Sequence, residues 1–313
     1  MALPEDILNP LEELRACNIC PRKCNADRFS EKKGYCNAGP EFGISSICIH
    51  RGEEPVISGS KGICNVFFTN CNLQCVFCQN WQISDNELDH SHEHMELDEV
   101  IRQIKTILDT GINILGFVSP GHFIPQMKVI IHSLKHLGYD PVIVYNSNGY
   151  DNVDQLIALE GMIDVYLPDF KYMEEDIARK YSDAKDYPRY ALAAHKEMYR
   201  QMGSNLIVDN EGYAMRGMLI RHLVLPGHTA NSIKVMEAIA EELSPDVHVA
   251  LMSQYYPCHR AREFTSLNQL VDPVEYNKVL KRMQELGITR GFVQGIESSA
   301  HYRPDFDLEH PFE

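Results

Sequence analysis

From residue 64 onward, short apolar runs alternate with segments whose apolar residues recur at helical spacing. Runs of this length, rich in β-branched residues and bounded by Gly, Pro, Asn or Asp, are typical of buried strands. We predict seven such strands: Cys64–Thr69, Ile114–Ser119, Pro141–Ser147, Asp164–Phe170, Met218–Leu225, Val247–Ser253 and Gly291–Gln294.

The segments between these strands predict amphipathic helices. One apolar stripe ends before Gly111 and a second ends before Gly138, and glycine is the residue that most often closes a helix. Asn231 is a candidate N-cap for a third helix. Asp272 precedes Pro273, which indicates a cap followed by proline at the first helical position.

Repeated strand–helix alternation predicts an α/β fold with a parallel sheet and right-handed crossovers. Periodicity alone leaves a barrel and a doubly wound sheet open. In both architectures ligands bind at the carboxyl ends of the strands, so the residues that follow each strand should carry the chemistry. Residues 1–63 lack this alternation and are rich in Cys, Gly and Pro. We therefore divide the chain into an irregular N-terminal extension, 1–63, and a core domain, 64–313.

Composition and net charge argue against several classes of protein. The 313 residues include 29 Lys plus Arg against 44 Asp plus Glu, a net charge of −15, which argues against nucleic-acid binding as the main activity. No apolar run reaches the ~18 residues of a membrane span, and the first residues do not resemble a secretion signal. We expect a cytoplasmic protein that does not interact with membranes.

The cysteines are concentrated at one end of the chain. Nine of the ten lie between Cys17 and Cys78, and only Cys258 lies outside this range. In a reducing compartment such a concentration indicates metal ligands rather than disulfides, and soft thiolates favour zinc or iron–sulfur sites.

Three cysteines follow the first predicted strand directly. Cys71, Cys75 and Cys78 have the spacing C-x3-C-x2-C, and no fourth cysteine follows nearby. Structural zinc and fully ligated iron–sulfur clusters use four protein ligands. Three ligands leave one metal position open, which favours a reactive site over a zinc ribbon.

This loop resembles the signature of radical S-adenosylmethionine (SAM) enzymes, C-x3-C-x-aromatic-C, with Phe77 as the aromatic residue. Over about residues 10–305 the chain is similar to the branch related to pyruvate formate-lyase activating enzyme, in a subfamily with a cysteine-rich N-terminal extension. The resemblance implies a partial (β/α)6 TIM-like barrel. It also implies a 4Fe–4S cluster held by Cys71, Cys75 and Cys78, bound SAM, and a low-potential electron donor of flavodoxin or ferredoxin type.

The resemblance also implies candidate SAM contacts at the strand ends. Phe77 would face the adenine, unless it is a core residue. Ser119 lies where related enzymes have a Gly-Gly-Glu run that binds the SAM amino group, and this chain has no acidic residue there. Asn146 and Ser147 suit the SAM carboxylate or ribose hydroxyls, although their segment is also a good turn.

Two further strand ends carry charged candidates. Asp169 and Lys171 match an Asp-x-Lys pattern of the activating enzymes, in which Asp would meet the ribose and Lys the carboxylate. An ion pair at the barrel mouth is the alternative interpretation. Arg221 is the residue of its segment expected to face SAM. Five later residues are candidates for the substrate side, although Cys258 is more simply a buried thiol: His228, Tyr255, Tyr256, Cys258 and His259.

The implied activity is reductive cleavage of SAM and abstraction of a hydrogen atom from a target. If the kinship extends to function, the target is a glycine in a partner glycyl-radical enzyme. Radical modification of another peptide, a tRNA or a small molecule is an alternative. A non-catalytic iron–sulfur or zinc module is a second alternative, which the three-cysteine ligation disfavours. No G-x-G-x-x-G follows a strand, so an NAD-dependent oxidoreductase is also disfavoured.

The extension contains a second cysteine set with the spacing C-x2-C-x3-C-x11-C. Four thiolates are the number that a closed zinc site or an auxiliary 4Fe–4S cluster requires. We predict such a metal site, with reduced, unligated thiols as the alternative, at Cys17, Cys20, Cys24 and Cys36.

Overall fold

The structure, a computed structural model, describes residues 3–31, 33–300, 303–308 and 310–312. Its strands are β1 Phe42–His50, β2 Ile63–Phe68, β3 His94–Met95, β4 Ile114–Val118, β5 Val142–Asn146, β6 Val165–Tyr166, β7 Ile207–Val208, β8 Ala214–Leu223, β9 His248–Met252 and β10 Gly291–Val293.

The α-helices are α1 Pro55–Ser58, α2 Trp81–Ser84, α3 Leu97–Leu108, α4 Ile124–His136, α5 Val153–Ala158, α6 Glu175–Ser182, α7 Tyr187–Met202, α8 Thr229–Glu242 and α9 Pro273–Glu285. Segments of 3-10 helix cover Glu5–Ala16, Ser91–Glu93, Pro120–His122, His259–Glu263 and Ile296–Ala300. No helix in the described ranges is long and apolar enough to cross a membrane.

The strands form one sheet in the order β10-β9-β8-β6-β5-β4-β2-β1-β3, and β7 pairs with β8. The strands from β2 to β10 along this order are parallel, whereas β1 is antiparallel to β2. These parallel strands are the seven that the sequence predicts. The predicted α/β class, with an open and mostly parallel sheet of the partial-barrel type, is confirmed.

The central parallel strands are mostly apolar because both faces of the sheet are covered. Every residue of β2 and of β5 is buried. Alternate residues supply two cores: Leu115 and Ile143 belong to the larger one with the helices, whereas Val144 and Leu219 belong to a smaller one on the other face. Ile57 of α1 closes the smaller core. A sheet packed on both faces leaves its carboxyl edge as the place for a site.

Two predicted helix caps have different outcomes. Asp272 caps α9 as predicted, and its carboxylate accepts a hydrogen bond from Val274 N at 2.6 Å. The predicted cap at Asn231 is wrong, because α8 already begins at Thr229. The Asn231 side chain is buried and accepts hydrogen bonds from the backbone of the segment before α6 instead.

The N-terminal segment packs against the core through its 3-10 helix, which contacts α4. The strand β1 lies within residues 1–63, for which the sequence predicts irregular structure, and it joins the sheet beside β2. The division of the chain after residue 63 stays a prediction.

Candidate active site

A cavity of about 640 Å³ lies at the carboxyl ends of the parallel strands. Residues that follow or end all seven of these strands line it, among them Cys71 after β2, Ser119 after β4, Asn146 at the end of β5, Asp169 after β6 and Gln254 after β9. This is the position at which parallel α/β folds bind ligands. The cavity therefore lies at the strand ends, where the sequence analysis expects the chemistry.

The three cysteines of the C-x3-C-x2-C loop line one side of the cavity. The loop leaves β2 through Asn70, whose φ of 59° turns the chain sharply. Each sulfur has a polar neighbour: Leu73 N donates to Cys71 Sγ at 3.4 Å, and hydroxyl groups lie 3.0 Å from Cys75 Sγ and 3.2 Å from Cys78 Sγ. These hydroxyls belong to Ser182 and Ser84. Hydrogen bonds to sulfur stabilise thiolates, the form that binds metal.

Without metal, these thiols hold their protons. Burial, together with the neighbouring thiol Cys75, raises the pKa of Cys71 to about 12. Burial raises the pKa of Cys75 to about 11, although Lys171 opposes the shift, and it also raises the pKa of Cys78. Metal binding must therefore release protons, which makes loading of the site pH-dependent.

The donor set fits an iron–sulfur cluster with one open position. Cys71, Cys75 and Cys78 are the cysteines that line the cavity within the described chain. No three His, Cys, Asp or Glu side chains in the described ranges are grouped closely enough to hold a single metal ion. A cluster joins each thiolate to a separate iron, so its ligands stand farther apart than those of one ion.

A charged network forms another part of the cavity wall. Arg221 donates to Asp169 Oδ1 at 2.8 Å, to Glu53 Oε2 at 3.1 Å and to Asn146 Oδ1 at 2.6 Å. Lys171 Nζ pairs with the second carboxylate oxygen of Asp169. All five side chains are fixed by these contacts, so the polar wall is preorganised.

The network sets the charge states of its carboxylates. Burial alone would raise the pKa of Asp169, but Arg221 and Lys171 beside it hold that pKa below its ordinary value. Glu54 lies next to the network with its Oε2 enclosed and without a hydrogen-bond partner in the described chain. Burial raises the pKa of Glu54 to about 7, with Arg221 opposing the shift. The wall thus combines the ion pair of Asp169 and Arg221 with Glu54, a carboxyl whose pKa lies near neutral pH.

Most of the residues that the sequence nominates meet at this cavity. Besides the three cysteines, its lining includes the nominated residues Phe77, Ser119, Asn146, Asp169, Lys171 and Arg221. Ser147 is the exception and corrects the sequence-based assignment. Its hydroxyl donates to Asp151 and accepts from Gly149 N, so it stabilises the turn after β5 instead of facing the cavity.

The residues nominated for a substrate side do not line the cavity. The Tyr255 hydroxyl donates to Leu267 O at 2.7 Å within the core. Cys258 Sγ contacts the carbonyls of Phe77 and Cys78, at 3.5 and 3.4 Å, behind the cysteine loop. The other three lie outside the lining: His228, Tyr256 and His259.

The sequence analysis misses three residues of the site. Glu53 and Glu54 belong to the connection after β1 and reach the cavity only because β1 pairs with β2. Asn148 lies in the nominated turn, and its side chain donates to Cys71 Sγ at 3.5 Å and to Asn72 Oδ1 at 2.7 Å. A turn rich in asparagine was the available signal for Asn148, whereas no motif marks the two glutamates.

The four N-terminal cysteines are not part of this cavity. Cys17, Cys20, Cys24 and Cys36 line a separate small cavity, together with Arg28 and His122.

Comparison with known proteins identifies similar sequences and folds. The family model described as "Radical SAM superfamily" matches residues 65–239, more than half of the chain. The uncharacterized protein MJ0674 of Methanocaldococcus jannaschii is 30% identical over 280 residues, which cover 87% of this chain and 75% of that protein.

Two solved structures are similar at low sequence identity. Methylornithine synthase (PylB) is 12% identical with a TM-score of 0.47, over 94% of this chain and 79% of PylB. SuiB of Streptococcus suis bound to S-adenosylmethionine is 11% identical with a TM-score of 0.47. That match covers 72% of this chain and 48% of SuiB, so the chain spans about half of SuiB.

Proposed function

The chain belongs to the radical SAM superfamily, whose members bind a 4Fe–4S cluster and SAM, and we propose that it abstracts a hydrogen atom from a glycine Cα of a partner polypeptide. The single observation that carries the chemistry is that three thiols, one buried and two half-buried, line the same cavity as a preorganised polar wall. When bound, the cluster supplies the electron that cleaves SAM and yields the 5′-deoxyadenosyl radical that removes the hydrogen.

The residues of this chain bind the cluster, orient SAM and protect the radical from side reactions. Cys71, Cys75 and Cys78 hold the cluster and leave one iron free for SAM. Asp169, fixed as a carboxylate by its two cations, suits the ribose hydroxyls, which are hydrogen-bond donors. Lys171, whose Nζ pairs with Asp169 in the same wall, would meet the SAM carboxylate. The apolar core beneath the cavity limits the entry of water, which protects a radical from side reactions.

A polypeptide target is supported by the edge of the sheet. The strand β10 is the last strand of the sheet in the described chain, and its Val293 is 49% exposed. Phe292, Val293 and Gln294 also line the cavity. An extended segment could add to this edge as a further strand, a common mode of peptide recognition, and place its backbone at the cavity mouth.

The alternatives fit these features less well. The net charge of −15 opposes binding of tRNA, which depends on clustered Lys and Arg. A small molecule would need no open sheet edge. The choice of glycine rests on the resemblance to glycyl-radical activating enzymes, as does a low-potential donor of flavodoxin or ferredoxin type.

Deuterium transfer tests the target. The anaerobically reconstituted protein would be incubated with SAM, dithionite and a glycyl-radical enzyme produced with α-dideuterated glycine. We expect one deuterium in the 5′-deoxyadenosine and an organic radical signal on the partner in electron paramagnetic resonance. A partner with alanine at the reactive glycine is the matched control. Unlabelled 5′-deoxyadenosine without a partner radical would contradict a glycine target, and labelling from deuterated small metabolites would favour the small-molecule alternative.

A further inference from the structure

We propose that Cys17, Cys20, Cys24 and Cys36 bind a second iron–sulfur cluster, separate from the one at Cys71, Cys75 and Cys78. The four thiols line one small cavity in the N-terminal segment. Cys17, Cys20 and Cys36 are buried and Cys24 is exposed, and none of the four is in a disulfide. This inference does not depend on which target the protein modifies.

Backbone N–H groups point at three of the four sulfurs. Tyr35 N donates to Cys24 Sγ at 3.3 Å. The backbone N–H of Arg22 donates to Cys20, and that of Ala38 donates to Cys36. Such bonds stabilise sulfur in its thiolate form, and hydrogen bonds to sulfur tune iron–sulfur sites. A set of unligated thiols has no need of this arrangement.

The backbone around the cysteines is held in unusual conformations. Lys23, Asn25 and Asn37, which flank Cys24 and Cys36, have φ values of 43°, 51° and 55°. Residues with side chains seldom adopt this left-handed region, since it costs conformational energy. Gly34 is required for a different reason: a Cβ there would lie 2.9 Å from Cys24 Sγ. The chain is thus wrapped tightly around the sulfurs.

A buried cation faces the same cavity. The Arg28 side chain is 1% exposed and lines the cavity with the four cysteines. Its guanidinium donates to the carbonyls of Ala38, Gly39 and His122, at distances of 2.6–3.1 Å. No carboxylate of the described residues pairs with it, although a buried charge normally requires a counter-charge. A cluster ligated by four thiolates carries net negative charge and would supply one.

We assign the four thiols to a cluster rather than to zinc. No group of three His, Cys, Asp or Glu side chains among the described residues is arranged to hold a single metal ion. Zinc would bring four sulfurs within about 2.3 Å of one centre, whereas a 4Fe–4S cluster binds each thiolate through its own iron.

The second site is joined to the loop of the first. Arg22 Nε donates to Asn72 O at 2.9 Å, next to Cys71. The Asn86 side chain donates to Tyr35 O at 3.1 Å and to Cys71 O at 2.9 Å, and it accepts from Cys71 N. Hydrogen bonds of Asn86 thus connect the segment before Cys36 to the catalytic loop, the loop that carries Cys71, Cys75 and Cys78.

Metal analysis tests the proposal independently of activity. After anaerobic reconstitution, we expect about eight irons and eight sulfides per chain in the intact protein, and about four of each in a Cys71→Ala/Cys75→Ala/Cys78→Ala variant. Adding Cys20→Ala and Cys36→Ala to that variant should remove the remaining iron. Cys48→Ala is the matched control, because Cys48 lines neither cavity.

Three results would overturn the proposal: stoichiometric zinc in the triple variant, a folded triple variant without metal, or iron that persists after Cys20 and Cys36 are replaced. If the triple variant does not fold, the proposal is tested with the double variant Cys20→Ala/Cys36→Ala in the otherwise intact protein. It should lose about half of the iron and keep the SAM-responsive signal in electron paramagnetic resonance, whereas unchanged iron contradicts a second cluster. Because that signal reports the Cys71 cluster alone, failure of the second site is distinguishable from failure of the proposed function.

Discussion

Arg221 and Asp169 are joined through both their side chains and their backbones. Arg221 Nε donates to Asp169 Oδ1 at 2.8 Å, and the two residues form an isolated parallel bridge beyond the end of β6. Backbone bonds on either side, Arg221 N to Pro168 O and Phe170 N to Arg221 O, are both 2.8 Å. The sheet itself therefore aims this ion pair into the cavity, and the pair does not depend on a mobile loop.

We expect Asp169→Asn to weaken SAM binding roughly tenfold to a hundredfold, the scale of one or two charge-assisted hydrogen bonds. The substitution keeps the shape of the side chain but removes the charge that Lys171 and Arg221 neutralise. Calorimetric titration of the cluster-loaded protein with SAM measures the change. Asp176→Asn is the control, because Asp176 forms an exposed ion pair with Arg179 outside the cavity, and its affinity should match that of the unaltered protein. Equal affinities in both variants would refute the placement of SAM.

The raised pKa of Glu54 predicts that the stability of the protein depends on pH. Burial raises the pKa of this carboxyl from 4.5 to about 7, so between these values the folded protein holds a proton that the unfolded chain releases. Stability from this group is therefore lost as pH rises from about 4.5 to about 7. Glu54→Gln removes the loss and should stabilise the cluster-free protein at pH 8 by roughly 1–3 kcal/mol. Urea unfolding of both proteins at pH 5 and pH 8 checks this, and an equal difference at the two pH values would contradict it.

Arg22 connects the N-terminal extension to the catalytic loop, and we expect this connection to stabilise the protein. Its guanidinium lies 3.6 Å from the ring centroid of Tyr35 and 5.3 Å from that of Tyr150, besides donating to Asn72 O. We expect Arg22→Ala to destabilise the protein by roughly 1–3 kcal/mol and to speed the loss of cluster iron to a chelator.

Arg15→Ala is the matched control for Arg22. Arg15 also lies over an aromatic ring, that of Phe29 at 4.3 Å, but it is exposed and pairs with Glu12. Its replacement should change stability by no more than about 0.5 kcal/mol. If both variants lose iron at the rate of the unaltered protein, Arg22 does not support the catalytic loop.

The parallel strands and the cysteine loop are predictable because their signals are local. Buried parallel strands are continuous apolar runs, and the thiol spacing lies within eight residues of sequence. The strand β1 is not predictable in this way, since its burial is irregular and its register with β2 shifts between Ile44 and Ser46. The helix α7 is not predicted for another reason: its buried face mixes alanines with polar side chains such as His195 and Glu197, so it shows no stripe of large apolar residues.

The residues of the site also divide into those that the sequence predicts and those that it does not. Asn146, Asp169 and Arg221 are predictable because each lies at or near the carboxyl end of a strand, and parallel strands bring these ends together. Glu53 depends on the antiparallel pairing of β1, a long-range contact without a local signature. Ser147 illustrates the opposite error, because adjacent residues at a strand end point to opposite faces and only Asn146 faces the cavity.

The yield of 5′-deoxyadenosine per chain, measured after anaerobic reconstitution with SAM and dithionite, tests the central claim most directly. That claim is that Cys71, Cys75 and Cys78 together hold the cluster that cleaves SAM. The account predicts product from the intact protein and from Cys48→Ala, and none above background when Cys71, Cys75 or Cys78 is replaced singly by Ala. Full yield from any one of these three variants, or no yield from the intact protein with its cluster loaded, would contradict it.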